Sequence, residues 1–190
     1  MISASFFESV FPALALLPED LRASCVKTWQ AAAQKGNHTE ETFSKVLFAE
    51  SGLKNCPVSL INHTCFVTET AMLLTEQFNR MYSPAVNADM NTVIAAALLH
   101  DAGKACESFA SDPDGTLAQE MAVVRHPFAG AVLARDCGCP WKVCHIIANH
   151  SFEGDKCQSF PELFIVRRAD MTHFEYLFFG YERRYTPKNS

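Results

Sequence analysis

Apolar residues recur along most of the chain at the spacing that places them on one face of a helix. One broad stripe at this spacing consists of Leu60, Phe66, Val67, Leu73, Leu74 and Phe78. Residues 90–103 are apolar on nearly every side, which predicts a central helix packed all round. Alternating strand patterns are almost absent. The pattern therefore predicts an all-α chain built around one fully packed helix.

Proline, glycine and acidic residues mark the ends of further predicted helices. These helices are predicted within residues 17–37, 39–52, 126–138, 139–154 and 159–179. The last of them starts with a capping-box pattern formed by Ser159 and Glu162. A polar loop is predicted over residues 107–125, where the sequence DPDG is a turn signal.

Composition and charge narrow the class of protein. The chain has 190 residues, of which 48% are hydrophobic and 19% are charged, as in a single globular domain. Its net charge of −5 argues against non-specific binding to nucleic acid. Its 8 cysteines lack paired CxxC spacing, which predicts free thiols in a reducing compartment. Residues 1–20 resemble neither a secretion signal nor a membrane span, so we expect a cytoplasmic protein without membrane association.

Six residues with metal-binding side chains stand at helix-sized intervals. They are His63, His100, Asp101, His126, His150 and Asp170. Both aspartates follow apolar runs, and a buried carboxylate is costly unless it is paired or bound to a metal. Imidazoles and carboxylates without thiolates suit iron, manganese, cobalt, nickel or zinc. The spacing therefore predicts a metal site in the core of a helical bundle.

In chain order these six residues read H…HD…H…H…D, which resembles the six-ligand, two-metal branch of the HD-domain superfamily of metal-dependent phosphohydrolases. The segments LLHDAGK, RHPFAGAVLA and HIIANHS also fit that branch. The resemblance covers residues 57–175 and implies an HD-domain helical bundle over residues 56–180. Residues 1–55 are then an N-terminal helical extension packed on the core, and residues 181–190 are a tail.

The resemblance also implies roles for individual residues. The H…HD…D part of the pattern would hold one metal, and Asp101 would bridge it to a second metal held by His126 and His150. Lys104 matches a lysine that contacts substrate phosphate in many members. Arg125 adjoins a ligand and is a second candidate for substrate binding. Asp101 and Lys104 are therefore the expected catalytic residues.

The implied reaction is hydrolysis of a phosphoester or phosphoanhydride of a small nucleotide or metabolite by a metal-activated water. Two divalent ions are implied, iron or manganese first, with nickel, cobalt, zinc and magnesium as alternatives. Two other functions stay open. Mixed-valent di-iron oxygenases have a similar set of six ligands, and a non-catalytic HD module could sense a ligand. Lys104 favours hydrolysis, and a homodimer stays open.

Three further residues near the pattern receive structural interpretations. His145 precedes His150 by five positions and therefore points to another side of the helix, so we do not expect it to be a ligand. His173 shares a helix face with Asp170, and we favour a core or surface histidine over a role beside the metal. Gly103 is expected to let the chain turn so that the next residue faces the substrate.

Overall fold

A computed structural model of the chain describes residues 1–49, 53, 56–107 and 123–181. Its α-helices are α1 (Ala4–Val10), α2 (Glu19–Lys35), α3 (Glu40–Phe43), α4 (Leu60–Tyr82), α5 (Met90–Leu99), α6 (Lys104–Glu107), α7 (His126–Asp136), α8 (Trp141–Asn149) and α9 (Pro161–Tyr181), with short 3-10 helices at Pro12–Leu16 and Phe152–Gly154. Within the described ranges, strand-like pairing is limited to one antiparallel bridge between Leu47 and Ser59. The all-α prediction is confirmed. In that part of the chain, no helix combines the length and hydropathy that a membrane crossing requires.

α5 lies at the centre of the bundle, as its apolar pattern predicts. Residues 93–99 are all buried, and α2, α4, α8 and α9 pack against this helix. Asp89 caps its start by accepting a hydrogen bond from the backbone N–H of Thr92 at 2.7 Å. The helix ends at Leu99, so the two polar residues that follow enter the core directly.

The buried face of α4 differs from the predicted stripe. Phe66 and Leu73 belong to that stripe, but they are 41% and 67% exposed. The buried face is instead rich in small residues, namely Thr64, Thr68, Ala71 and Thr75. The hydroxyls of Thr68 and Thr75 each donate to a backbone carbonyl one turn earlier at 2.8 Å. Because these hydroxyls have partners, they can be buried where α5 and α9 pack closely against α4.

The helix predicted over residues 39–52 is wrong beyond Phe43, where α3 ends after one turn. The chain then runs back along the start of α4, and the carbonyl of Val46 accepts a hydrogen bond from the backbone N–H of Leu60 at 2.7 Å. This pairing brings Phe48 into the core with 2% exposure. The last part of the predicted helix lies outside the described residues.

The predicted capping box at Ser159 is also wrong. α9 begins at Pro161, and the carboxylate of Glu162 is buried among other elements. It accepts hydrogen bonds from the backbone N–H of Asp89 and from Lys142 Nζ, each at 2.8 Å. Glu162 therefore ties the starts of α5 and α8 to α9.

The N-terminal residues contact the bundle through an aromatic cluster. The rings of Phe7, Phe11 and Trp29 stack against one another, and Phe43 meets the Trp29 ring edge-on. α2 packs against both α5 and α7. The domain boundaries themselves stay a prediction. Most of the predicted polar loop and almost all of the predicted tail lie outside the described residues.

Candidate metal centre

The structure brings all six predicted ligands together in the core. Each lies in a helix or at a helix end: His63 in α4, His100 and Asp101 after α5, His126 at the start of α7, His150 after α8 and Asp170 in α9. Five of them are buried, and the Asp170 side chain is 15% exposed. Because a helix ends at or beside several of these residues, their side chains can converge on one point from different directions.

Asp101 joins two groups of ligands. Its Oδ2 atom lies 3.2 Å from His63 Nε2 and 3.4 Å from His100 Nε2. Its Oδ1 atom lies 3.3 Å from His126 Nε2 and 3.5 Å from His150 Nε2. Each group has the proximity that a metal site requires, and the two carboxylate oxygens face different histidine pairs. The arrangement suits one carboxylate shared by two ions.

Asp170 adds a second carboxylate to the first group. Its Oδ1 atom lies 3.2 Å from His63 Nε2 and 3.9 Å from His100 Nε2. The first group therefore combines two imidazoles with two carboxylates. The second group combines two imidazoles with the shared carboxylate of Asp101. Neither group includes a thiolate, so both suit the metals expected from the ligand types.

In His100 and His150, Nδ1 points away from the site and Nε2 points into it. The hydrogen bond of each Nδ1 atom determines the protonation state of the Nε2 atom in the same ring. His100 Nδ1 donates to the carbonyl of Ala97, and His150 Nδ1 donates to the carbonyl of Ile147, each at 2.7 Å. A carbonyl can only accept, so Nδ1 carries the proton of each neutral ring and Nε2 presents a lone pair. Both Nε2 lone pairs then face oxygen atoms of the Asp101 carboxylate.

This arrangement fits bound cations. Oxygen and nitrogen lone pairs that face each other in a dry core repel unless a proton or a positive ion lies between them. Asp101 Oδ1 is buried and has no hydrogen-bond donor among the described residues. A metal ion at each group would satisfy this oxygen and the two imidazole lone pairs together. The residues therefore fit a dinuclear metal centre.

The two carboxylates are held in the form that binds metal. Burial acts to raise the pKa of Asp101, but the Lys104 ammonium at 2.6 Å holds it well below its usual range. Burial opposes ionisation of Asp170 as well, yet the adjacent His63 and His100 rings lower its pKa. Both groups are therefore anionic at neutral pH.

Lys104 lies beside the carboxylate that the two groups share, with its Nζ atom 2.6 Å from Asp101 Oδ2. The chain turns just before it, as predicted, but Gly103 is needed for a different reason. A Cβ atom at Gly103 would collide with the backbone of His126. The glycine therefore allows the start of α7 to approach the turn after α5, which places a second-group ligand.

A cavity of about 670 Å³ opens onto both ligand groups. Besides ligands, it is lined by Lys104, Arg125 and apolar side chains that include Phe48, Phe152, Met171 and Phe174. Arg125 Nε lies 3.0 Å from Glu153 Oε1, and its guanidinium lies 4.0 Å from the centre of the Phe152 ring. Both predicted substrate-binding residues therefore face the same cavity as the ligands.

Three residues that contact the ligands were not predicted to do so. Glu107 Oε1 accepts a hydrogen bond from the backbone N–H of His126 at 2.6 Å, and Oε2 lies 3.7 Å from His126 Nδ1. Phe48 stacks on the His63 ring with a centroid distance of 4.3 Å. His173 Nδ1 lies 2.8 Å from His63 Nδ1. These contacts orient the ligands from outside.

The sequence indicated these three residues to different degrees. His173 is three positions after Asp170, and that spacing did place it on the ligand face. It is a buried core histidine, as we favoured, but it also contacts a ligand. Burial and the neighbouring His63 lower the pKa of His173 to about 4.

No local pattern indicated Phe48, because its position depends on the short α3. His145 lies outside both groups, as predicted, and the structure places its ring against Phe160.

Comparisons with known proteins agree with this geometry. Residues 60–175, which are more than half of the chain, match the family model described as HD domain. No curated protein and no solved structure matched the chain. The matched segment contains all six candidate ligands, and five of them form two groups around Asp101 that could each hold a metal ion. The chain therefore belongs to the HD-domain family, a superfamily of metal-dependent hydrolase type.

Proposed function

We propose that this chain is a metal-dependent phosphohydrolase that cleaves a phosphoester or phosphoanhydride of a small nucleotide or metabolite. The observation that carries the proposal is the position of Lys104. Its ammonium lies 2.6 Å from the Asp101 carboxylate and lines the same cavity as the ligands. A fixed cation there suits a substrate whose oxygens gain negative charge during the reaction, as phosphoryl oxygens do.

The roles of the residues follow from their positions. Two divalent ions held by the ligand groups would polarise the phosphoryl oxygens and lower the pKa of a water to near neutrality. Asp101 would bridge the two groups and hold Lys104 in place. Lys104 would contact a phosphoryl oxygen from the cavity. Iron or manganese fits these imidazoles and carboxylates first, with nickel, cobalt, zinc or magnesium as alternatives.

The cavity supports a small phosphorylated molecule as the substrate. Its volume of about 670 Å³ falls in the usual range for small-molecule sites. The partly exposed ring of Phe174 offers flat apolar surface to the body of the substrate. Arg125 offers a second cation, which a substrate anion would have to draw from its partner Glu153.

The test combines metal analysis with assays in the presence and absence of oxygen. The full chain is purified anaerobically without chelator, its metal content is measured, and it is loaded with Mn²⁺ or Fe²⁺. Product release is then followed on p-nitrophenyl phosphate, its diester, and a panel of nucleotides and sugar phosphates. We expect two metals per chain and hydrolysis that does not consume O2.

Lys104→Met should lower kcat by about 10²-fold or more while both metals stay bound, because only the cation is removed. The matched control is Lys45→Met, since Lys45 is 70% exposed and does not line the cavity. Turnover that requires O2 would contradict the proposal and favour the di-iron oxygenase. Two bound metals without turnover on any substrate would instead favour the ligand-sensing module.

A further inference from the structure

His63 differs from the other histidine ligands in the partner of its outer ring nitrogen. His100 and His150 donate to carbonyls of their own helices, three residues earlier. The Nδ1 atom of His63 lies 2.8 Å from Nδ1 of His173, which comes from α9. Both rings are buried, with exposures of 0% and 8%. An imidazole therefore stands where His100 and His150 have a backbone carbonyl.

We infer that His173 is a positioning residue of the metal centre, which accepts a hydrogen bond from His63 Nδ1 and so presents His63 Nε2 to the first metal. The inference rests on the proposed dinuclear centre. It adds a residue outside the six ligands and gives that residue a defined effect on one of the two metal sites.

The protonation states follow from the geometry. His63 Nε2 lies 3.2 Å from a carboxylate oxygen of each of Asp101 and Asp170, so it is the atom that faces the metal. A neutral ring that binds metal through Nε2 carries its proton on Nδ1. This proton points at His173 Nδ1, which must then supply the lone pair. The hydrogen bond therefore selects one tautomer in each ring.

Stacking against aromatic side chains fixes the orientation of the His63 and His173 rings. His63 stacks on Phe48 at a centroid distance of 4.3 Å, and His173 stacks on Phe66 at 4.1 Å. The planes of His63 and His173 differ by 14°. Phe66 is partly exposed, and its contact with His173 explains an aromatic residue at that position of α4. The stack restricts rotation of both imidazoles, so the hydrogen bond is built in advance of metal binding.

An uncharged hydrogen-bond acceptor such as His173 suits the first ligand group. The first ligand group already contains the carboxylates of Asp101 and Asp170, whereas the second has only the shared one. An outer carboxylate behind His63 would add a third buried negative charge next to the first metal. An imidazole can orient the ligand without that charge. His126, in the second group, instead has the Glu107 carboxylate 3.7 Å from its Nδ1.

The test uses three substitutions that separate the hydrogen bond from the ring. Asn and Leu have nearly the same shape, but only Asn has an oxygen that can accept from His63 Nδ1. His173→Phe keeps the stacked ring and removes the acceptor. Each variant of the full chain is stripped of metal, checked for its helical content by circular dichroism, and titrated with Co²⁺. The visible absorption of bound Co²⁺ reports its ligands, and competition with a chelator gives two dissociation constants.

We expect His173→Leu and His173→Phe to weaken one Co²⁺ site by about 10- to 100-fold and to change its absorption spectrum. The other site, which uses His126 and His150, should change little. His173→Asn should stay within a few-fold of wild type, and so should the control His145→Leu, which removes a histidine outside both ligand groups.

Unchanged affinities in His173→Leu and His173→Phe, with two Co²⁺ ions bound to wild type, would overturn this inference alone. Equal losses in all three His173 variants would also overturn it, because the acceptor that His173→Asn retains would then make no difference. A wild-type chain that binds no Co²⁺ would contradict the proposed centre and with it the inference. If His173→Leu and His173→Phe do not fold, the spectrum of His173→Asn decides, since loss of its first site contradicts an acceptor role.

Discussion

On one side of Asp101, His63 is fully buried and stacks on Phe48, whereas on the other side His126 and His150 line the cavity. The first side is oriented by the Ala97 carbonyl behind His100 and, at His63, by side chains from other elements, including His173 of α9. The second side is oriented by a carbonyl of its own helix and by the carboxylate of Glu107. The two halves of the site, one on each side of Asp101, therefore have similar geometry, but different neighbouring groups orient their histidines.

This difference predicts that the two halves depend on the fold to different degrees. The first metal site shares its atoms with the packed core, so damage to it should also weaken folding. The second site is attached at the edge of the core, so damage to it should affect metal binding and activity more than stability. Substitutions in each half can test this division, beginning with the residue that both halves share.

Asp101→Asn should produce the largest loss. The amide cannot bridge two cations, and it places an N–H donor against nitrogen atoms that need a metal. We expect fewer than one bound metal per chain and a fall in activity of about 10³-fold or more. Elemental analysis after gel filtration and an assay at saturating Mn²⁺ measure the two effects. Glu69→Gln removes an exposed carboxylate of α4 as the control, and two metals retained in Asp101→Asn would contradict the bridge.

His63→Ala and His126→Ala compare the two halves directly. In the metal-free chain, His63→Ala should lower the free energy of unfolding by about 3 kcal/mol, because it opens a cavity next to Phe48. His126→Ala should lower it by less than about 1 kcal/mol, because its side chain borders the open cavity. Urea unfolding in the presence of chelator measures both. Equal losses would show that both histidines belong to the packed core.

Gly103→Ala tests how the second half is attached. The added methyl group collides with the backbone of His126, so α7 must shift. We expect the free energy of unfolding to fall by about 2 kcal/mol and the second metal to bind more weakly. Gly180→Ala is the control, because a Cβ atom there meets nothing within 4 Å. This substitution should stabilise the helix by a few tenths of a kcal/mol. A stable Gly103→Ala variant with both metals would contradict the close approach.

The convergence of the six candidate ligands was predictable from their order in the chain, and four of them are also tied to a local feature. His100 and Asp101 follow an apolar helix, His126 precedes a proline at a helix start, and His150 ends the next helix. The ordered set then resembles one known family. Such features depend on residues that are close in the sequence, so they can be read without knowing how the helices pack.

The contacts around the ligands were not predictable in the same way. Phe48 reaches His63 because α3 ends early and the chain pairs with the start of α4. Glu162 leaves its expected capping role because Asp89 and Lys142 from other elements lie beside it. These outcomes depend on distant parts of the chain that compete for the same groups. Local pattern alone favours the nearer partner and therefore misses them.

Glu107→Gln should have the smallest effect and confine it to the second half. An amide oxygen can still accept from the backbone N–H of His126, but the negative charge near His126 Nδ1 is lost. We expect the second metal to bind about 10-fold more weakly, with the first unchanged, because outer partners tune ligand basicity. Co²⁺ titration of this variant beside His173→Leu should show one weakened site in each, and the two absorption changes should differ. If both variants weaken the same site, the division of the centre at Asp101 is wrong.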